Sequence, residues 1–146
     1  MPNTDMTLID LDTDDERWAL AFPVLQELRP HLTQELLRQV LAEGTAQGLR
    51  FTAVFDGDRC VAVAGWRVLV TTHVLRKLHI DDLATASGER SKGYGSTLLN
   101  ALIHRARDLG CGRVELNSAV HRHSAHRFYL RERLDIDAHH FGLQLS

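Results

Sequence analysis

The sequence predicts a mixed α/β fold with one central sheet, antiparallel in its N-terminal part and ending in a βαβ unit in its C-terminal part. Two β-rich runs flank Asp56–Asp58, and the Asp-Gly pair within that turn indicates an antiparallel hairpin. Later, a strand-like run, a long amphipathic helix and another strand-like run follow one another, which is typical of a crossover connection. No repeat or linker interrupts the 146 residues, so we expect one domain over residues 1–146.

The elements can be assigned in order along the chain. Runs that alternate or are rich in β-branched and aromatic residues are predicted as strands: Thr7–Leu11, Phe51–Phe55, Cys60–Val70, Leu78–Thr85, Arg113–Ala119 and Ala138–Leu145. A capping box at Thr13 predicts a first helix, which Pro23 should break or kink. Thr33 is the expected N-cap of a second helix. The clearest helix, with a continuous apolar stripe, opens at Ser96, and Ser124–Arg133 forms a short last helix.

Composition excludes several classes of protein. A formal net charge of −2 gives no positive field of the kind that nucleic acid or an anionic membrane attracts. No stretch approaches the roughly 18 apolar residues of a membrane span. The first fifteen residues carry five acidic side chains and no lysine or arginine, which does not fit a secretory signal. We therefore expect a cytoplasmic protein with no nucleic-acid or membrane partner.

The segment between the fourth predicted strand and the clearest helix carries the chemistry. Its loop, Arg90–Gly95, contains two glycines and runs directly into a helix N-terminus. Glycines let a backbone turn tightly, and a helix N-terminus favours anions, so the loop suits a phosphate group. It lacks the Gly-Lys-Ser/Thr ending of a P-loop, and Leu98 stands where a dinucleotide fingerprint needs a small residue.

The loop, the last helix and the order of the elements together resemble the GCN5-related N-acetyltransferase (GNAT) family. That family has Arg/Gln-x-x-Gly-x-Gly/Ala in this loop, which here is Arg90, Gly93 and Gly95. Its Ala-x-x-Phe/Leu-Tyr segment appears as Ala125–Tyr129. Two segments depart from the pattern: Arg133 and Leu134 replace a frequent Gly-Phe, and Arg122-His123-Ser124 stands where the family often has an asparagine shortly before the last helix.

The resemblance implies a GNAT-like acyl-CoA N-acyltransferase fold, with acetyl-CoA as the donor co-substrate. The diphosphate would lie on the loop amides, and the pantetheine arm would pair with the preceding strand like an extra strand. Residues expected to bind the donor are therefore Leu83, Ala84, Thr85, Arg90, Ser91, Lys92, Gly93, Tyr94, Gly95 and Ser96.

Acetyl transfer to an amine needs a base for the amine and an acid for the departing thiolate. The resemblance implies Tyr129 as the acid; the alternative is a core aromatic residue. The base is left open among His79, Asp81 and Asp82. Strand alternation places His79 and Asp81 on one face and Asp82 on the other. Each carboxylate could instead be a solvated side chain, or the pair could bind a cationic acceptor such as a polyamine or aminoglycoside.

The histidines at 121, 123 and 126 invite a metal site, but their spacing matches no zinc motif and arginines are interleaved with them. We therefore predict no metal.

The expected function is an N-acetyltransferase acting on a primary amine of a small molecule or protein. The alternative is a catalytically weak acyl-CoA-binding module that regulates a partner. Pairing of two chains as a homodimer is left open.

Overall fold

The computed structural model describes residues 5–90 and 92–146, and the chain forms two compact units, Met1–Glu115 and Leu116–Ser146. The strands are β1 (Met6–Leu11), β2 (Arg50–Asp56), β3 (Arg59–Leu69), β4 (Lys77–Thr85) and β5 (Arg113–Leu116). The α-helices are α1 (Trp18–Leu28), α2 (Gln34–Gly44), α3 (Tyr94–Asp108) and α4 (His123–Arg131), with a 3-10 turn at Thr45–Gln47. Among the described residues, no helix is long and apolar enough to span a membrane. The expectation of one domain stays a prediction.

One mixed five-stranded sheet organises the first unit, in the order β1-β2-β3-β4-β5. The first four strands form consecutive antiparallel pairs. The hairpin between β2 and β3 is present as predicted, with Asp56 opposite Arg59 and Gly57 at a φ of 63°. These features confirm the predicted α/β fold class with an antiparallel N-terminal part.

The first helix differs from its prediction at both its start and its proline. Arg17, not Thr13, is the N-cap of α1, and the Thr13 hydroxyl donates to Asp14. Asp15 accepts from the Arg17 amide instead, at 2.9 Å. Pro23 lies inside the helix without ending it. Burial of an apolar face that includes Trp18 and Leu25 offsets the single hydrogen bond that proline removes.

The second helix begins as its sequence predicts. The Thr33 side chain accepts a hydrogen bond from the Leu36 amide at 3.0 Å, which is the bond of an N-cap threonine.

Side chains of α1 and α2 pack with the sheet to form one apolar cluster, which includes Trp18, Leu25, Leu37, Phe51 and Val63. Another set of buried side chains lies on α3: Leu98, Leu99, Leu102 and Ala106. The predicted apolar stripe of the longest helix is therefore its buried face.

The second unit contains α4, and its last residues differ from the prediction. The predicted strand Ala138–Leu145 is wrong: these residues form no strand. The exposed fractions of Phe141, Leu143 and Leu145 are 90%, 86% and 89%. An alternating pattern gives a strand only where a neighbouring strand supplies hydrogen bonds, and none of the described residues pairs with this segment.

Two further boundaries move for local reasons. Strand β5 ends at Leu116 rather than Ala119, whose carbonyl oxygen accepts from the Arg122 amide in a turn. Helix α4 ends at Arg131 because Arg133 adopts a left-handed conformation, with φ at 71°.

Candidate active site

The glycine-bearing loop joins the end of β4 at Thr85 to the start of α3 at Tyr94. Helix α3 thus begins two residues before the predicted Ser96. Gly93 is its N-cap, in the left-handed region with φ at 85°, and a β-carbon built there would meet no atom within 4 Å. Backbone conformation, rather than lack of space, is therefore what favours glycine at this position. Ser91, one of the expected donor-binding residues, lies outside the described residues.

The amides at the start of α3 have the geometry of an anion site. The Thr97 amide donates to the Gly93 carbonyl oxygen at 3.0 Å, which is a bond of the first helical turn. The amides of Tyr94, Gly95 and Ser96 precede it and are directed toward the helix N-terminus. The helix dipole adds partial positive charge at the same end.

Side chains around the loop hold it in place. Glu89 accepts from Lys92 at 3.0 Å and also pairs with Arg59. The hydrogen bonds from Lys92 and then Arg59 lower the pKa of Glu89 below its ordinary value. Tyr94 is 6% exposed, and its hydroxyl donates to Asp56. The Tyr94 side chain therefore anchors the loop to the β2–β3 hairpin.

A β-bulge lies on β4 among the three candidate bases. Gly65 of β3 is opposite Asp82, but its neighbour Trp66 is opposite Ile80, so Asp81 is an extra residue on β4. An inserted residue interrupts the two-residue alternation on which the predicted faces depend. The side chains must accordingly be placed by their contacts.

Both candidate aspartates are bound by arginines. Arg67 donates to the two oxygens of Asp81 at 2.9 and 2.8 Å, a bidentate pair. Arg29, directly after α1, donates to Asp82 at 2.8 Å and to the Asp81 carbonyl oxygen at 3.1 Å. Arg29 therefore contacts both the bulge residue Asp81 and the next residue, Asp82. These two carboxylates do not form an uncompensated negative pair for a cationic acceptor.

His79, the third candidate, binds a carboxylate that the sequence reasoning missed. Its Nδ1 lies 2.7 Å from Oε2 of Glu115, on the neighbouring strand β5. Lys77 and Arg113 donate to the other oxygen of Glu115, at 3.1 and 3.2 Å. Burial disfavours ionisation of Glu115, but the hydrogen bonds from His79, Lys77 and Arg113 outweigh it and lower the pKa to about 2. The sequence places Glu115 within a predicted strand, but it does not show that this strand lies beside β4.

A pocket of about 170 Å³ lies in the first unit beside Asp82. Arg29 and His31 also line it. The remaining lining side chains are apolar: Leu25, Leu32, Leu36, Leu37, Val40 and Phe51. This is a small, mainly apolar pocket with one ion pair at its wall.

Tyr129 lies on α4 in the second unit and is half-buried. Its ring packs edge-to-face on Phe128, with ring centroids 5.3 Å apart. Burial raises the pKa of Tyr129, against the opposing charge and hydrogen bond of Arg122. The phenol is therefore protonated at neutral pH, as a proton donor must be.

The histidine-rich segment has ordinary partners in the structure. Nε2 of His126 lies 2.8 Å from the Ala119 carbonyl oxygen, and the rings of His123 and His126 pack with centroids 6.2 Å apart. Among residues 5–90 and 92–146, no three histidine, cysteine, aspartate or glutamate side chains are grouped as metal ligands.

The mixed sheet and the glycine-bearing loop between β4 and α3 are the features that the resemblance to an acyltransferase family predicts. Residues 10–134 match the sequence model described as the Acetyltransferase (GNAT) family, and the chain belongs to this family. It is 36% identical over 118 residues to a Bacillus subtilis protein named as the uncharacterized N-acetyltransferase YhdJ, a match covering 80% of this chain and 83% of that protein.

Solved structures share the fold at lower sequence identity. One is the aminoglycoside acetyltransferase meta-AAC0020 from an uncultured soil metagenomic sample, with a TM-score of 0.80, 16% identity and 99% of each chain covered. Another is the aminoglycoside N-acetyltransferase AAC(6')-Iy, solved with CoA, with a TM-score of 0.78, 10% identity, and 97% of this chain and 95% of that chain covered.

Proposed function

We propose that the protein transfers an acetyl group from acetyl-CoA directly to a primary amine of a small molecule or a protein. The observation that carries this proposal is the left-handed Gly93 that opens α3 after the loop following β4, in a chain of the GNAT family. The CoA complex of AAC(6')-Iy adds support, since that enzyme shares the fold and binds CoA.

In this proposal, the loop binds the charged part of the donor. The diphosphate accepts hydrogen bonds from the amides at the start of α3, and Arg90, which is exposed, supplies positive charge. The pantetheine arm pairs with Leu83–Thr85. Strand β3 occupies one edge of this segment, where Ala62 is opposite Thr85, so the arm uses the edge on the side of β5, a strand of only four residues.

The transfer is a nucleophilic substitution at the thioester carbon. The acceptor loses a proton to a base and forms a C–N bond to the acetyl carbon, and the C–S bond then breaks. Tyr129 donates its proton to the departing CoA thiolate, giving the free thiol. General acid–base assistance of this kind contributes about 100- to 10,000-fold in rate.

Direct transfer is favoured over a covalent acyl-cysteine intermediate by the state of the two cysteines. Burial raises the pKa of the Cys60 thiol to about 11. Burial also raises the pKa of Cys111. A cysteine acts as a nucleophile in its thiolate form, and a raised pKa disfavours that form at neutral pH.

The acceptor pocket is the second part of the proposal. The pocket beside Asp82 has a mainly apolar lining, and the nearby aspartates are neutralised by Arg67 and Arg29. These features favour an amine attached to an apolar body over a polycation. We therefore expect 2-phenylethylamine to be a better acceptor than spermidine or an aminoglycoside.

An amine panel tests this function. Purified protein is incubated with acetyl-CoA and each amine, and free CoA and the acetylated amine are both quantified. We expect equal amounts of the two products with an accepted amine. CoA release without acetylated amine is hydrolysis and counts against transfer. CoA binding with no acetylated amine across the panel would favour the alternative binding module.

A further inference from the structure

The three candidate bases on β4 differ in what holds them. Both oxygens of Asp81 accept from Arg67, and Asp82 accepts from Arg29, so each carboxylate is already paired with an arginine. His79 has one ring nitrogen, Nδ1, at hydrogen-bond distance from Glu115. Its other nitrogen, Nε2, lies 3.8 Å from Asp81, which is beyond a hydrogen bond.

The partners of Glu115 determine which nitrogen of His79 carries the proton. Glu115 accepts from Lys77 and Arg113, and its low pKa keeps it an ionised carboxylate. An ionised carboxylate can only accept hydrogen bonds, so Nδ1 of His79 must be the donor in this contact. In neutral imidazole, the proton on Nδ1 leaves the lone pair on Nε2. Nε2 is then the nitrogen that can accept a proton.

We propose that Nε2 of His79 is the base that removes the acceptor amine's proton, and that Glu115 is a positioning residue fixing the ring in the required tautomer. This inference rests on the proposed function, because it names the base of the same transfer reaction.

The step balances with groups on the chain. Nε2 takes one proton from the amine nitrogen as that nitrogen attacks the acetyl carbon, and His79 becomes an imidazolium. The positive ring then lies between two carboxylates, Glu115 at 2.7 Å and Asp81 at 3.8 Å, which stabilise it. The imidazolium later releases the proton to solvent, while Tyr129 supplies the proton for the thiolate.

The charged groups facing His79 come from three strands. Arg67 on β3 pairs with Asp81, and Lys77 on β4 pairs with Glu115. Arg113 on β5 also pairs with Glu115. Each of these cations is bound to a carboxylate. Removing the charge of Glu115 should therefore make protonation of the ring less favourable.

The activity test uses 2-phenylethylamine and benzylamine as probe acceptors, which differ in basicity. His79→Gln keeps an N–H donor for Glu115 but has no basic nitrogen, and we expect kcat to fall about 100- to 10,000-fold with CoA affinity unchanged. His79→Ala is the second variant if the glutamine protein melts early. Activity of both variants within about twofold of wild type overturns the base assignment.

The Glu115→Gln variant tests whether Glu115 positions the His79 ring or only stabilises the fold. We expect the acidic limb of the pH profile of kcat to move to lower pH, because the negative charge beside the His79 ring is lost. A limb set by the amine would move between the two probes, whereas a limb set by His79 would not. Asp10→Asn is the matched control, since Asp10 accepts from Thr52 and Arg105 elsewhere on the sheet. A lower Tm with an unmoved limb overturns the role of Glu115.

A measurement without substrate tests the tautomer itself. Nitrogen-15 chemical shifts of the wild-type histidines, assigned by the signal missing in His79→Gln, should show neutral His79 protonated on Nδ1. Protonation on Nε2 overturns the inference while leaving the proposed function intact. If wild type acetylates no amine, the proposed function fails and the base assignment fails with it.

Discussion

Replacing Gly93 by alanine tests the conformation of the loop. Gly93 has a φ of 85°, and placing an L-residue in this conformation destabilises the fold by about 1–2 kcal/mol. The alanine variant therefore either keeps the loop conformation and is less stable, or changes the conformation and displaces the first amides of α3. Gly48→Ala is the matched control: its φ is 82°, and a β-carbon there also meets nothing within 4 Å. Both variants should lower Tm by roughly 3–8 °C.

The Gly93→Ala and Gly48→Ala variants should differ only in their affinity for CoA. A β-carbon added at Gly93 meets no atom within 4 Å, and Gly93 directly precedes the amides that are proposed to bind the diphosphate. We expect calorimetry to show CoA affinity at least about tenfold weaker in Gly93→Ala, a loss of about 1.4 kcal/mol, and unchanged in Gly48→Ala. Equal CoA affinities in the two variants would refute the assignment of the loop to the diphosphate.

Three further outcomes are expected. Tyr129→Phe should lower kcat about 100- to 10,000-fold with CoA affinity unchanged; a variant that keeps more than half of wild-type kcat shows that Tyr129 is not the acid. Because the pKa of Glu115 is lowered from 4.5 to about 2, its ionised form stabilises the fold above pH 4.5, and this contribution is lost as pH falls toward 2. The free energy of unfolding of Glu115→Gln should therefore change less between pH 4.5 and pH 2 than that of wild type. If the two proteins show the same dependence on pH, the cause given for the low pKa is wrong. Elemental analysis of untagged protein should find no zinc; one equivalent lost on replacing His121 and His123 would contradict the prediction of no metal.

Local signals explain the parts of the fold that could be predicted. The hairpin at Asp56–Asp58 and the N-cap at Thr33 depend on a few adjacent residues, and both are confirmed. The buried stripe of α3 depends on helical spacing over a long run, which is the most reliable pattern of this kind. The family resemblance, carried by Arg90, Gly93 and Gly95, is confirmed by the match over residues 10–134.

The incorrect predictions share a dependence on distant partners. Pro23 lies within a helix because burial against the sheet outweighs one lost bond, and Ala138–Leu145 is not a strand because no described residues pair with it. Propensity carries no information on such contacts.

The candidate site shows the same limit. The sequence places His79, Asp81 and Asp82 on the fourth strand, but the bulge at Asp81 and the arginine partners depend on the register with β3. The sequence does not predict Glu115 as a site residue, because its contact with His79 exists only where β4 and β5 lie side by side in the sheet. The alternation rule could not show which of His79, Asp81 and Asp82 are paired with arginines and which is not.

The central claim is direct acetyl transfer from acetyl-CoA to an amine, and isotopic labelling in a single turnover tests it most directly. Protein in excess over acetyl-CoA labelled with carbon-13 in both acetyl carbons is mixed with 2-phenylethylamine, and the products are identified by mass spectrometry. We predict that both labelled carbons appear in the N-acetyl amide, with one free CoA thiol per amide and no acetylated protein at any time. Label found only as acetate, or on a protein side chain before it reaches the amine, would contradict direct transfer.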